Sequence, residues 1–269
     1  MRQTTADFAP ALPPRGDLRR RVLAGEPTIG AFANLGSLAG AELLARAGFD
    51  WLIIDLEHGL GTEADLHAQL LAVQGTPTAA LVRVPSSERL RVGRALDLGA
   101  DGLMIPRLET PGEIADTLRW MRYPPVGIRG VALPTRGGGY GEIAHADLAA
   151  SVNERLLGVF QVESPEAVAA ADDLAAIPGV DVLFVGPADL SHAMGIPGRF
   201  ADPAFVAALD AVAAACRAHS KAAGILLADA TEVPAYRDRG YGFIGVGSDS
   251  GWVRLGARAQ AAAAREALR

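Results

Sequence analysis

Eight short β-rich runs alternate with amphipathic helical stretches along the 269 residues of the chain. Such alternation is typical of parallel strands joined by helical crossovers, and eight repeats is the number that closes a (β/α)₈ TIM barrel. The predicted strands comprise residues 28–34, 51–57, 79–84, 102–107, 157–162, 182–185, 224–228 and 243–246. The predicted helices comprise residues 38–47, 63–73, 88–98, 111–121, 165–176, 203–219, 233–239 and 252–268.

The predicted barrel is a single α/β domain that comprises residues 28–269. Residues 1–27 form an N-terminal segment with a lead helix at Asp17–Leu23, placed where it can close the bottom of the barrel. An open doubly wound sheet is the alternative architecture. Its dinucleotide-binding version is disfavoured because no Gly-x-Gly-x-x-Gly follows the first strand, but periodicity alone does not exclude an open sheet.

The composition excludes several classes of partner. The formal net charge of -6 disfavours a nucleic-acid partner, since proteins that bind nucleic acid usually carry a basic face. The sequence contains neither a run of about 18 apolar residues nor a basic segment followed by an apolar run at its N-terminus. We therefore expect a soluble, cytoplasmic protein that acts on small molecules and has no membrane partner.

Two acidic residues, Glu163 and Asp189, close the fifth and sixth predicted strands. In this fold the carboxyl ends of the strands carry the active site, and neighbouring strands lie about 4.8 Å apart. The two carboxylates can therefore share one cation, and oxygen-only ligation with open water positions suits Mg²⁺ or Mn²⁺. The alternative is that both are helix N-caps or surface acids.

The second and third predicted strands end in further charged residues. His58 follows Asp55 and Glu57, and a carboxylate in that turn can raise the basicity of the imidazole, which makes His58 the best candidate for a general base. Arg83 ends an apolar strand, where a cation is costly to bury without an anionic partner. That partner is either a substrate carboxylate or enolate, or a structural ion pair with Asp55 or Glu57.

The segment Gly186, Pro187, Ala188 allows close approach of a ligand to the backbone, and the amide N–H groups of Ala188 and Asp189 can hold a substrate carboxylate. The single lysine, Lys221, precedes the seventh predicted strand and so belongs at the bottom rim of the barrel. Schiff-base catalysis needs a lysine amine at the catalytic mouth, and the sequence therefore argues against it.

Five ordered motifs identify a family. They are Asp-Leu-Glu-His-Gly at residues 55–59, Val-Arg-Val-Pro at 82–85, Tyr-Pro-Pro-Val-Gly-Ile-Arg-Gly at 123–130, Gln-Val-Glu-Ser at 161–164 and Gly-Pro-Ala-Asp-Leu-Ser at 186–191. The chain resembles the HpcH/HpaI class II aldolases, which include 4-hydroxy-2-oxoheptanedioate aldolase and 2-dehydro-3-deoxyglucarate aldolase. The resemblance implies a carbon–carbon lyase that cleaves a 4-hydroxy-2-oxo acid reversibly to pyruvate and an aldehyde through a metal-stabilised pyruvate enolate. A citryl-CoA or malyl-CoA type lyase is the alternative.

The resemblance also implies roles for individual residues. Glu163 and Asp189 would hold Mg²⁺, Mn²⁺ or Co²⁺ with pyruvate as a further ligand, and Arg83 and Gln161 would contact the keto or enolate oxygen. The bound cation and Arg83 would then stabilise charge where it develops.

Proton transfer and assembly are implied in the same way. A residue matching His58, oriented by one matching Asp55, assists proton transfer in such enzymes, and Glu57 lies next to that group. The family assembles as hexamers in which an acid matching Asp97 reaches the site of a neighbouring subunit.

Two features depart from the family pattern and leave the aldehyde unspecified, namely the charged sequence Arg107-Leu108-Glu109 and the three glycines at residues 137–139. Arg107 follows the fourth predicted strand and suits an aldehyde that carries a carboxylate, although a salt bridge to Glu109 or Asp101 explains it equally well. The irregular stretch at residues 124–143 is long enough to be a functional lid, and we expect it to return to the catalytic face. The alternative is an ordinary surface excursion.

Overall fold

The computed structural model describes residues 17–269, in which eight parallel strands close into a barrel. The strands follow one another around the barrel in chain order, and β8 pairs with β1. They are β1 Thr28–Ala33, β2 Trp51–Asp55, β3 Ala79–Arg83, β4 Gly102–Ile105, β5 Leu157–Val162, β6 Val182–Val185, β7 Ala222–Leu227 and β8 Tyr241–Ser248. The predicted (β/α)₈ barrel is confirmed.

Helices surround the barrel. Within the described part of the chain they are α1 Asp17–Leu23, α2 Leu38–Arg46, α3 Glu63–Val73, α4 Arg89–Asp97, α5 Pro111–Met121, α6 Leu148–Arg155, α7 Pro165–Ala169, α8 Ala171–Ala176, α9 Pro187–Ala193, α10 Pro203–Ala218, α11 Val233–Asp238 and α12 Asp249–Ala267. Single 3₁₀ turns occur at Gly139–Gly141 and Ala230–Glu232. No helix among residues 17–269 has the length and apolar character needed to cross a membrane.

Large side chains fill the interior of the barrel. The rings of Trp51 and Phe243 stack with their centroids 4.1 Å apart. Gly30 makes room for this pair, since a Cβ at that position would lie 2.0 Å from the indole of Trp51. Full burial of a large apolar side chain contributes roughly 1.5–3 kcal/mol. The interior is therefore a packed core, and the site has to lie at one end of it.

The lead helix α1 closes the bottom of the barrel, as predicted. Its Leu18 and Val22 are buried in the same apolar cluster as the barrel interior. Arg19 donates two hydrogen bonds to the carboxylate of Asp181, at 2.9 and 3.0 Å, just before β6 begins. The part of the predicted N-terminal segment before Asp17 lies outside the described residues, and the division at residue 28 stays a prediction.

Several boundaries differ from the prediction. The second, third and fourth strands end one or two residues earlier than expected, because the chain leaves the sheet at Asp55, Arg83 and Ile105. The predicted helix at residues 165–176 is broken at Ala170, and helices α6 and α9 were not predicted. Both missed helices are short, at 8 and 7 residues, and carry too few apolar repeats to stand out.

The expectation that residues 124–143 return to the catalytic face is wrong. Arg129 donates to the Asp97 carboxylate at 2.8 Å, and Arg136 donates to Gln74 Oε1 at 2.7 Å. Asp97 and Gln74 lie at the C-terminal ends of α4 and α3, which are at the bottom of the barrel. Long-range contacts with these helix ends hold the segment at the bottom rim.

Candidate active site

Arg83 and Asp55 form a buried bidentate ion pair at the carboxyl ends of β3 and β2. Nε of Arg83 donates to Oδ1 of Asp55 at 2.8 Å, and an Nη atom donates to Oδ2 at 2.7 Å. Burial alone would raise the pKa of Asp55, but the hydrogen bonds and charge of Arg83 outweigh it and hold this pKa below its usual value. The pair fixes the direction of the guanidinium, whose central carbon lies 5.3 Å from the centre of the Phe32 ring.

Glu57 lies between Arg83 and His58. Its Oε2 is 3.1 Å from an Arg83 Nη atom, without hydrogen-bond geometry, and 3.9 Å from Nε2 of His58. Burial raises the pKa of Glu57, and the charge of Arg83 offsets part of that rise. The backbone amide of His58 donates a hydrogen bond to the Asp55 carboxylate at 3.3 Å. The acidic side chain beside the His58 ring is therefore Glu57 and not Asp55.

Glu163 follows β5 at the centre of this cluster. Nε2 of Gln161 donates to its Oε1 at 2.7 Å. Burial, followed by the negative charges of Asp189 and Glu57, raises the pKa of Glu163 to about 7. The predicted juxtaposition of Glu163 and Asp189 is present, and a cation shared by the two carboxylates would offset their mutual repulsion.

Asp189 lies in the first turn of α9 and is exposed. The residue before this helix, Gly186, supplies no side chain to cap it, and Pro187 has no N–H. The amides of Ala188 and Asp189 are in the first turn, where no helical carbonyl is available to accept from them. The binding of a substrate carboxylate by these two amides stays a prediction.

Two adjoining cavities share Gln161, Glu163 and Asp189 in their walls. The larger cavity, of about 330 Å³, contains Arg83 and extends toward β7 and β8. The smaller cavity, of about 220 Å³, extends toward the loop between β4 and α5, where Arg107 lies. Together they form the mouth of the barrel.

The residues at this mouth fit a hard divalent cation. Among residues 17–269, no group of three or more His, Cys, Asp or Glu side chains is suited to bind a metal. Glu163 and Asp189 would therefore be the two protein ligands, and water or substrate would supply the remaining ligands. Oε1 of Gln161 is buried without a hydrogen-bond partner. Gly186 leaves space for the Glu163 carboxylate, since a Cβ there would lie 2.7 Å from its Oε1. This all-oxygen set is typical of Mg²⁺ and Mn²⁺ sites.

Two predicted residues lie away from the mouth of their own subunit. Asp97 ends α4 at the bottom of the barrel and pairs with Arg129. Lys221 directly precedes β7, also at the bottom, which confirms its predicted position. No lysine amine therefore reaches the site.

Sequence reasoning missed the residues that shape the walls. Phe32, Phe184 and Leu226 line the larger cavity from inside the barrel, and in the sequence they are indistinguishable from core. Asn34 also lines it, with a buried Oδ1 that has no hydrogen-bond partner. Its position just after β1, at the catalytic ends of the strands, was the available signal.

A family model described as HpcH/HpaI aldolase/citrate lyase matches residues 28–254, which includes all eight strands. The chain belongs to this family. The resemblance stated from the five motifs is thereby confirmed.

Individual relatives agree with the family assignment. A hydroxypyruvate/pyruvate aldolase from Paraburkholderia phytofirmans is 38% identical over 242 residues, which are 88% of this chain and 92% of the relative. A 5-keto-4-deoxy-D-glucarate aldolase from Salmonella arizonae is 39% identical over 228 residues, which are 85% and 88% of the two chains. A crystal structure of a family member from Burkholderia cenocepacia superposes with a TM-score of 0.87 at 38% identity, and covers 93% of this chain and 99% of its own. Members of this family with such names are carbon–carbon lyases.

Proposed function

We propose that the chain is a divalent-metal-dependent pyruvate aldolase, an aldehyde-lyase that cleaves a 4-hydroxy-2-oxo acid reversibly to pyruvate and an aldehyde. The observation that carries this proposal is the placement of Glu163 and Asp189 beside the fixed guanidinium of Arg83 at the barrel mouth. Membership of the aldolase family supports the same chemistry.

The metal site in this proposal consists of Glu163 and Asp189, with Mg²⁺, Mn²⁺ or Co²⁺ as the ion. A divalent ion there supplies Lewis acidity that polarises the carbonyl oxygen of a bound 2-oxo acid. Burial first, and then the negative charges of Asp189 and Glu57, raise the pKa of Glu163, and a cation between Glu163 and Asp189 would offset these effects.

Substrate binding uses groups on three sides. Arg83 donates to the oxygen on C2, where negative charge develops when a proton leaves the pyruvate methyl group. Nε2 of Gln161, which already donates to Glu163, has a second hydrogen for the same oxygen. The first-turn amides of Ala188 and Asp189, beside the close backbone at Gly186 and Pro187, bind the substrate carboxylate.

Proton transfer is assigned to His58. In the cleavage direction Nε2 of His58 accepts the proton of the 4-hydroxyl group, and in the synthetic direction it returns that proton. Glu57, 3.9 Å from this nitrogen, stabilises the imidazolium that forms. Asp55 positions the site, because it holds both Arg83 and the backbone amide of His58.

A retro-aldol assay tests the proposed reaction. A panel of 4-hydroxy-2-oxo acids incubated with the protein and Mn²⁺ should release pyruvate, measured by reduction with lactate dehydrogenase and NADH. The control replaces the substrates with citryl-CoA and malyl-CoA. Cleavage of the CoA thioesters alone would contradict the proposal and favour the alternative lyase.

The space that Gly186 leaves for Glu163 gives a sharper test of the metal site. Replacement of Gly186 by alanine should lower Mn²⁺ affinity about 10- to 100-fold, as changes next to metal ligands commonly do, because the new Cβ displaces the carboxylate. Isothermal titration calorimetry measures this. The backbone at Gly186, with φ -91° and ψ 95°, accepts alanine without strain.

The matched control is Gly112→Ala, at a position where a Cβ meets nothing within 4 Å. This variant should bind Mn²⁺ with unchanged affinity. Equal affinities of the Gly186→Ala and Gly112→Ala proteins would contradict the assignment of Glu163 as a ligand.

A homo-oligomer, in the family's hexameric form, is part of the proposal. Helix α12 is exposed along almost its whole length, and its Trp252, Val253 and Leu255 are 37%, 61% and 56% exposed. Apolar side chains on an otherwise uncovered helix favour contact with another subunit. In this assembly Asp97 approaches the mouth of a neighbouring barrel.

The cytoplasmic location of the protein stays a prediction.

A further inference from the structure

Arg107 is a cation at the mouth of the barrel that has no ion-pair partner among the described residues. It lies in the loop between β4 and α5 and lines the smaller cavity together with Glu163 and Asp189. Within residues 17–269 its guanidinium forms no ion pair and no hydrogen bond. The salt bridges considered from the sequence are not formed, and Asp101 lies before β4, at the opposite end of that strand.

The backbone of Arg107 is held in an unfavourable conformation. Its φ of 54° is in the left-handed region, which residues other than glycine and asparagine seldom adopt. The neighbours Pro106 and Leu108 are both buried, and they fix the loop on either side of it. Strain of this kind is found preferentially at ligand-binding positions. The fold therefore holds Arg107 at a defined place on the cavity wall.

The positive charge of Arg107 acts on two acids of the site, Glu57 and Glu163. Burial raises the pKa of Glu57 and of Glu163, and Arg107 lowers both by a smaller amount, although it contacts neither. Once Glu163 and Asp189 share a divalent cation, their charge is balanced. The remaining charged groups on the wall of the smaller cavity are then Arg107 and Glu109, among the described residues.

The larger cavity offers a different environment, because its cation Arg83 already faces Asp55 and Glu57. Its lining includes the large side chains of Phe184, Phe200, Leu226 and Tyr236, as well as the acid Glu232. A carboxylate placed against these apolar side chains would lose hydration without gaining an unpaired cation. An anionic end of a substrate is therefore favoured in the smaller cavity.

We propose that Arg107 is a specificity residue that binds the carboxylate at the far end of the aldehyde, so that the preferred substrates are 4-hydroxy-2-oxo acids with a second carboxylate. This inference rests on the proposed aldolase function. The planar guanidinium can bind a carboxylate through two parallel hydrogen bonds, which gives direction as well as affinity.

The test measures the aldol reaction of pyruvate with two acceptor aldehydes of equal length, succinic semialdehyde and butanal. Mn²⁺ is present in both reactions. Arg107→Ala should lower kcat/KM for succinic semialdehyde about 10- to 100-fold, the usual cost of a lost hydrogen bond to a charged group. Its kcat/KM for butanal should change less than about threefold. Arg107→Lys should recover part of the loss, because it keeps the charge but not the paired geometry.

Two controls complete the experiment. Arg199→Ala removes a cation that is 67% exposed and pairs with Asp202, next to Phe200 of the larger cavity, and it should alter neither aldehyde reaction. Exchange of the pyruvate methyl protons with D₂O needs no aldehyde, so Arg107→Ala should slow it far less than it slows the succinic semialdehyde reaction.

The outcomes separate the two proposals. If Arg107→Ala lowers both aldehyde reactions equally, or leaves the preference for succinic semialdehyde unchanged, the role of Arg107 is wrong while methyl exchange still supports the aldolase. If the wild-type protein neither exchanges the methyl protons nor joins pyruvate to any aldehyde, the proposed function itself is wrong.

Discussion

Replacing Arg83 by alanine is expected to slow the exchange of pyruvate methyl protons at least about 100-fold, as loss of an oxyanion partner typically does. The guanidinium is aimed by its two hydrogen bonds to Asp55, so no other described cation stands in the same position. Proton NMR of pyruvate in D₂O measures the exchange without an aldehyde. A variant with nearly wild-type exchange would contradict the assignment of Arg83.

Stability has to be separated from catalysis in this experiment. Removal of Arg83 leaves the buried Asp55 carboxylate unpaired, which costs about 3–5 kcal/mol. The double variant Arg83→Ala, Asp55→Asn removes that charge and should fold while it remains inactive. Arg19→Ala breaks a comparable bidentate pair with buried Asp181 at the other end of the barrel. It should lower the melting temperature but leave exchange per folded molecule unchanged.

Removal of divalent metal is expected to reduce retro-aldol activity to below about 1% of its initial value, because the charge that polarises the substrate carbonyl is lost. Treatment with EDTA followed by gel filtration and addition of Mn²⁺ should restore it. Glu163→Gln and Asp189→Asn should not recover at the Mn²⁺ concentration that restores the wild type.

The matched control for the ligand variants is Glu232→Gln, which changes an acid that lines the larger cavity but takes no part in the proposed metal site. It should lose activity with EDTA and regain it with Mn²⁺ like the wild type. Full activity of stripped wild-type protein would show that the reaction does not depend on a metal.

The barrel topology explains why much of the site could be predicted. Once eight parallel strands are recognised, their carboxyl ends must meet on one face, and polar residues there become neighbours. Arg83, Glu163 and Asp189 were found in this way, and Gln161 through the family resemblance. The structure brings all four to the walls of one cavity. Their exact strand ends were not needed for that conclusion.

Tertiary pairing could not be predicted in the same way. The sequence allowed Asp55 to contact either the His58 ring or Arg83, and only the register that places Asp55 opposite Arg83 decides between them. The course of residues 124–143 depends on long-range contacts such as that of Arg129 with Asp97. Nothing in the local Gly and Pro content of that segment specifies those partners.

Arg107 illustrates a third limit. Its position after β4 was visible in the sequence, but the absence of an acidic partner and its left-handed backbone depend on how Pro106 and Leu108 are packed. Local preferences favour glycine or asparagine at such a conformation, so the strain could not be anticipated from the arginine itself.

The most direct measurement is anomalous diffraction from a crystal of the metal-stripped protein soaked in Mn²⁺. A single manganese peak within bonding distance of one oxygen of Glu163 and one of Asp189, about 2.2 Å from each, is the expected result. Glu163 and Asp189 side chains that point apart, with no manganese between them, would contradict the shared cation on which the proposed chemistry depends.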